Sequence, residues 1–232
     1  MVVKFILALV ITAVISYLLG SCNSAIIVCR LWKKTDIRTV GSNNAGLTNT
    51  LRVFGKGPAA LTLLGDLLKG VIAVLLSKWI FYLFGVGLFV KTGLDLDTTF
   101  VGYIAGFFAI IGHIFPLYYG FKGGKGVLVS CSILLVIDPV SFCILIPFFA
   151  LMVILTRYVS VSSITAAIAY PIVTFATQTI RGLPYVWLNT ILVIGTSALL
   201  IYMHRENIKR LKAGTENKFG SKKRVEKTNN EE

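Results

Sequence analysis

A chain of 232 residues that is 56% apolar and only 14% charged has too few polar groups to cover a water-soluble core, which excludes an ordinary soluble domain and points to a multi-span helical membrane protein. Its formal charge of +13 would suit a nucleic-acid partner, but the basic residues gather between apolar runs and in the C-terminal tail, as an orientation signal does in a membrane protein; no nucleic acid is expected. Cys22, Cys29, Cys131 and Cys143 lie in or beside apolar runs without metal-ligand spacing, so they read as packed thiols, and neither a metal nor another cofactor is expected.

Val2 to Leu19 is the first apolar run long enough to span a bilayer, and it continues with little interruption to Leu31. Leu19-Gly20-Ser21-Cys22 resembles a lipoprotein cleavage site, but Lys4 is its sole preceding basic residue and the apolar character resumes directly after Cys22. From Arg30 to Gly57 the chain turns polar and basic. Pro58 to Phe84 is the second span. Within it Asp66 and Lys69 share one helix face, where they either pair across a turn or line a polar pocket.

A glycine-rich connection from Gly85 to Asp97 leads to a third span, Thr98 to Pro116. Val127 to Ile137 is about half of spanning length and is stopped by Asp138-Pro139, with Val140 to Thr156 following; two short or tilted helices fit, and a re-entrant hairpin is the alternative. Arg157 to Ser163 is a polar break, after which Ile164 to Ile180 and Pro184 to Met203 give two more spans. The expected fold is all-α, with seven transmembrane helices in one domain over 1–218 and a basic, disordered tail over 219–232 drawn to anionic membrane lipid.

If the first polar loop is cytoplasmic, eighteen Lys and Arg fall on that side against three on the other. This bias places the N-terminus outside and the C-terminus inside, and every polar segment then meets at the cytoplasmic face. Gly123, Gly124 and Gly126 surround Lys125 where the third span ends. Glycines let backbone N–H groups form a concavity and the lysine adds a charge, a combination suited to phosphate. It is not a Walker loop, since Tyr119 and Gly126 stand where that pattern needs Gly and Ser or Thr. In GSNNAGLTNTLR, a turn at Gly46 could bring Ser42 and Arg52 onto one anion, with Asn44 and Asn49 nearby. Ser160 and Ser163 offer hydroxyls at a helix start. His204 and Asn207, three apart, share a face and could present ring N–H and amide donors.

GSNNAGLTNTLRVFG, DLLKG, GHIFP with FKGGKG, RYVSVSSI and HRENIKRLKAGTENK, in this order, resemble the acyl-phosphate:glycerol-3-phosphate acyltransferase family of bacterial inner membranes, over residues 16 to 218. The resemblance implies seven helices, a cytoplasm-facing site, and transfer of a fatty acyl group from acyl phosphate to the 1-hydroxyl of glycerol 3-phosphate, giving lysophosphatidic acid and phosphate. Carried over, the family's phosphate-binding serine and arginine fall on Ser42 and Arg52 and its loop lysine on Lys125. The hydroxyls of its fourth motif fall on Ser160 and Ser163, and its histidine and asparagine on His204 and Asn207. Asn43 stands where the family commonly has glycine, Leu47 where alanine is usual, and Leu128-Val129-Ser130 replaces a smaller pair. Asn43 still tolerates positive φ, whereas Leu47 adds bulk beside the site. No Ser-His-Asp order and no His-x4-Asp pair is present, so a direct transfer without an acyl-enzyme is expected. The alternative from the residues alone is a carrier of a phosphorylated metabolite, using Asp66 and Lys69 at mid-membrane. Oligomeric state leaves no mark on the sequence, and a monomer satisfies it.

Overall fold

The computed structural model describes residues 2–85 and 98–220. The connection and most of the tail named above lie outside these residues. Every regular element among the described residues is helical: α1 (Val2–Ser21), α2 (Ser24–Lys33), α3 (Leu47–Phe54), α4 (Lys56–Leu83), α5 (Thr98–Ile114), α6 (Val127–Ile137), α7 (Pro139–Thr156), α8 (Val159–Ile180), α9 (Val186–Met203) and α10 (Arg205–Lys212). Six apolar stretches reach membrane-spanning length, while α6, with 11 residues, rises only about 16 Å.

Lipid offers a Leu or Val nearly the environment that a protein core does, so helices in a membrane associate through close backbone approach. The buried face of α1 accordingly carries Ala8, Thr12, Ser16 and Gly20, four residues apart, while Ile6, Leu7, Val10 and Val14 stay exposed. α5 answers with its own small residues. A Cβ on Gly20 would lie 2.1 Å from the Ala109 carbonyl oxygen, and one on Gly112 would lie 2.1 Å from that of Tyr17, so neither position has room for a side chain. On another face of α5, Gly102 and Gly106 receive Ile137 and Ile133 of α6.

The long first apolar run does not continue as one helix. Asn23 accepts a hydrogen bond from Ile26 N at 3.1 Å and caps a new helix, α2, whose side chains Ile26 and Cys29 pack with Ile37 and Ala45 of the following polar segment. That segment, expected to be a loop, contains α3. α8 starts earlier than the expected span, at Val159, so the serines of RYVSVSS lie within a helix.

At the end of α6, Asp138 caps α7, accepting from Ser141 N at 3.3 Å and Ser141 Oγ at 2.7 Å. Arg181, just past α8, reaches the same carboxylate at 3.0 Å, and Tyr103 and Gln178 complete a buried network. Such satisfaction is what allows polar groups to be buried in a lipid-facing bundle. The network ties α5, α6, α7 and α8 together at the end of the bundle remote from the glycine loop.

Candidate active site

The first polar segment is built around one side chain. Asn49, 1% exposed, accepts from Ser42 N at 2.9 Å and donates to the carbonyls of Ile37, Val40 and Asn44 at 3.2, 3.0 and 3.1 Å. It thereby organises the loop, while Asn44 contributes a carbonyl to it. Asn43 adopts φ 57°, the left-handed conformation that its amide side chain tolerates. Three residues after Asn49, on the same face of α3, stands Arg52, which forms no ion pair with a described residue. The Ser42 backbone is held by Asn49 of α3 and its hydroxyl donates to no described residue, so what joins Ser42 to Arg52 is a shared anchor, Asn49, three residues before the arginine. Leu47 is the first residue of that helix and only half-buried.

The glycine loop leaves α5 through Pro116 and a short 3-10 turn, Leu117–Tyr119. Arg38 clamps it to the first segment, donating to the Tyr119 and Lys122 carbonyls at 2.7 and 3.1 Å while Asp36 holds the guanidinium at 3.0 and 2.8 Å. Gly123 N–H and Gly124 N–H donate to the carbonyls of Ile114 and His113 at 3.0 and 3.1 Å. This differs from the sequence reading: these two amides are committed to the backbone, and the glycines serve close packing. A Cβ on Gly123 would sit 2.0 Å from His113 O, and one on Gly124 2.2 Å from His113 Nε2 and 2.5 Å from Ala45 O. Gly126, at φ 86°, opens α6, so the N–H groups left without an intrahelical acceptor are those of the α6 first turn beside Lys125.

Lys125 Nζ donates to Asn207 Oδ1, and Asn207 Nδ2 donates to Glu216 Oε1 at 2.7 Å. Ser160 Oγ donates to the same oxygen at 2.9 Å, and Arg210 Nε reaches Glu216 Oε2 at 2.7 Å. Glu216 is therefore the centre of a cluster drawn from the glycine loop, α8, α10 and the segment after it. Burial raises its pKa, but the hydrogen bonds from Asn207, Arg210 and Ser160 outweigh that and hold it below the ordinary carboxylate value. Ser163 lies a turn further along α8 and does not join, since its hydroxyl donates to Val159 O at 2.8 Å.

Burial lowers Lys125 to about 8; Glu216 opposes the shift, and Arg210 and Arg52 add to it. Arg52 is also lowered, by burial first, with Glu216 and Arg210 in its field. His204, 3% exposed, is pushed down to about 4, by burial and then by Lys125. Its Nδ1 lies 2.7 Å from Leu200 O, a carbonyl that can only accept, so Nδ1 carries the proton and Nε2 is left as an acceptor. The ring N–H donor expected from the sequence is thus spent on the end of α9. Glu216 and Arg210 carry no role in the sequence reading, although an acid set among the basic residues that follow α9 is a signal for an organising counter-charge.

The sequence profile of the family described as "Glycerol-3-phosphate acyltransferase" matches residues 10–214. A glycerol-3-phosphate acyltransferase of Clostridioides difficile (strain 630) is 41% identical over 218 residues, covering 94% of this chain and 98% of that one. One from Halalkalibacterium halodurans is 42% identical over 211 residues, with 90% and 94% covered. Among solved structures, the glycerol 3-phosphate form of PlsY (YgiH), an integral membrane glycerol 3-phosphate acyltransferase, superposes with a TM-score of 0.73 at 33% identity, covering 91% of this chain and 96% of its own. The lysophosphatidic acid form of the same enzyme gives 0.70 at 32% identity, covering 91% and 95%.

Proposed function

The chain belongs to the glycerol-3-phosphate acyltransferase family and is an integral membrane acyltransferase of phospholipid biosynthesis; from that premise we propose that its acyl donor is acyl phosphate and that transfer is direct. The acyl group passes to the 1-hydroxyl of glycerol 3-phosphate, giving lysophosphatidic acid and phosphate. One observation carries this reading. Lys125 and Arg52 lie in one electrostatic field, neither forms an ion pair with a described residue, and the carboxylate between them is already taken by Ser160, Asn207 and Arg210. Two cations without a direct ion pair, Lys125 half-buried and Arg52 at the exposed edge, suit two phosphates, one on each substrate.

The reaction needs little from the protein beyond placement, because acyl phosphate is a mixed anhydride with a good leaving group. The glycerol oxygen forms a bond to the acyl carbonyl carbon, the bond from that carbon to the phosphate oxygen breaks, and the hydroxyl proton passes to the departing phosphate. Lys125, Arg52 and the first-turn N–H groups of α6 neutralise the phosphates; Ser42 donates its hydroxyl to a phosphate, Ser160, whose proton is spent on Glu216, accepts from a glycerol hydroxyl, and His204 Nε2 likewise accepts from a glycerol hydroxyl to orient it. Gly123, Gly124 and Gly126 give the loop its close path, Asn49 holds the Ser42 backbone, and Asn44 and Ser163 support their own segments. The carrier alternative loses its motive, since Asp66 and Lys69 are 2.9 Å apart and pair with each other. The cluster opens at the side of the bundle that carries most of the basic residues, which supports a bacterial cell membrane protein with its N-terminus outside and its site and C-terminus cytoplasmic.

Purified protein in detergent, supplied with acyl phosphate and glycerol 3-phosphate, should release lysophosphatidic acid and phosphate in equal amounts. An acyl thioester accepted in place of acyl phosphate would overturn the donor assignment. A hydroxylamine-sensitive acyl-protein on the reaction path would overturn direct transfer.

A further inference from the structure

Three ionisable side chains are buried behind the glycine loop, and the reaction as described uses none of them. Asp66 and Lys69 of α4 and His113 of α5 are 1%, 6% and 3% exposed. Lys69 Nζ stands 2.9 Å from Asp66 Oδ1 and 2.7 Å from His113 Nδ1, and it also reaches the Cys22 carbonyl, where α1 ends, at 3.4 Å. An ammonium only donates, so His113 Nδ1 accepts and the ring proton lies on Nε2. The ion pair thus sets both the tautomer and the plane of the imidazole.

The other end of that ring meets the loop. A Cβ on Gly124 would lie 2.2 Å from His113 Nε2 on one side and 2.5 Å from the Ala45 carbonyl on the other, so Gly124 is wedged between the ring and the segment that carries Ser42. The backbone of the same residue holds the loop again, because His113 O accepts from Gly124 N at 3.1 Å. Lys125 follows directly. A buried ion pair is an expensive way to stabilise a bundle, and apolar residues of similar volume are often as good or better. What such residues cannot do is give a ring a fixed orientation.

We propose that Asp66, Lys69 and His113 form a buried brace that positions the glycine loop, and through it Lys125, against the Ser42 segment. All three are positioning residues; none touches substrate. The proposal rests on the phosphate-holding role assigned to the loop, and its test separates the two. In the double variant Asp66→Leu/Lys69→Met the bundle keeps its volume and sheds its buried charges, so its thermal midpoint in detergent stays level or rises. The peptide covering 117–126 nevertheless exchanges its amide hydrogens faster without substrate, and the KM for one of the two phosphate substrates rises about tenfold or more while the other moves less than twofold. His113→Asn is the second variant: its amide oxygen keeps an acceptor for Lys69 but leaves the contact with Gly124 empty, and the same loosening and one-sided KM change are expected.

Unchanged loop exchange in a folded sample of either variant overturns the brace, as does a fall in kcat that merely tracks the folded fraction with both KM values unmoved. Faster exchange in 117–126 with neither KM moved nor kcat lowered supports the brace and overturns the loop's phosphate role instead.

Discussion

At the scale of single residues, charge decides the outcome. On the proposed mechanism Lys125→Ala and Arg52→Ala each remove a charge-assisted contact to a phosphate, so each should lower kcat/KM by at least about 100-fold, equivalent to about 2.7 kcal/mol. A folded variant that keeps half of the parent turnover would remove that residue from the phosphate ligands. The pH dependence follows from Lys125 itself. Burial leaves it with a pKa of about 8, so the charge needed for phosphate is complete below that value and is lost as pH rises through it. In the free enzyme kcat/KM should therefore fall above about pH 8, and Lys125→Arg should shift that limb upward. Glu216→Ala leaves Ser160, Asn207 and Arg210 without their shared acceptor and should cost about 10- to 150-fold in kcat/KM, with Glu216→Gln recovering part of it. The residues that sequence picked out here, Lys125, Ser160 and Asn207, do share one cluster in the structure. What the pattern of residue types could not convey is direction: His204 and Asn207 look alike as donors on one face, yet one ring nitrogen is spent on Leu200 and both ends of one amide are engaged by Lys125 and Glu216.

At the scale of elements, the long helices were legible because length and apolarity are a sufficient cause of a spanning helix, and α4, α5 and α9 end within two residues of where the sequence places them. α3 was not, because its eight residues owe their helicity to Asn49 gathering the preceding carbonyls and not to an apolar run. The break before α2 rests on the cap at Asn23, in the short polar interruption Ser21-Cys22-Asn23-Ser24 of an apolar stretch. The α1 and α5 contact yields a sharper expectation. Gly112→Ala drives a methyl group to 2.1 Å from a backbone oxygen that cannot step aside, and should destabilise the protein by about 1–3 kcal/mol or more. Gly57→Ala meets only the far edge of the Trp32 ring at 3.0 Å and improves helix propensity, so its stability should hold or rise. Thermal unfolding in one detergent checks both, and equal losses would mean that the glycine stripe is not what brings α1 onto α5.

At the scale of the whole molecule, the site is assembled from parts that no single stretch of chain contains, at the side of the bundle that carries the basic residues. With the native cysteines replaced, single cysteines at Gly182 and Ala213, which flank α9, should label from opposite sides of sealed membranes, while Tyr118 and Arg157, separated by α6 and α7, should label from the same side. Opposite labelling of the second pair would show that α6 and α7 together do not carry the chain out and back. The position of Glu216 along the chain has a further consequence, for biogenesis. Its carboxylate gathers Ser160, Asn207 and Arg210, yet it follows the last long helix, so a nascent chain can insert every span while the centre still lacks its acid. On the proposed mechanism full activity is thereby deferred until synthesis has passed that residue, and a copy truncated before it should be a complete bundle that turns over its substrates at least as slowly as Glu216→Ala.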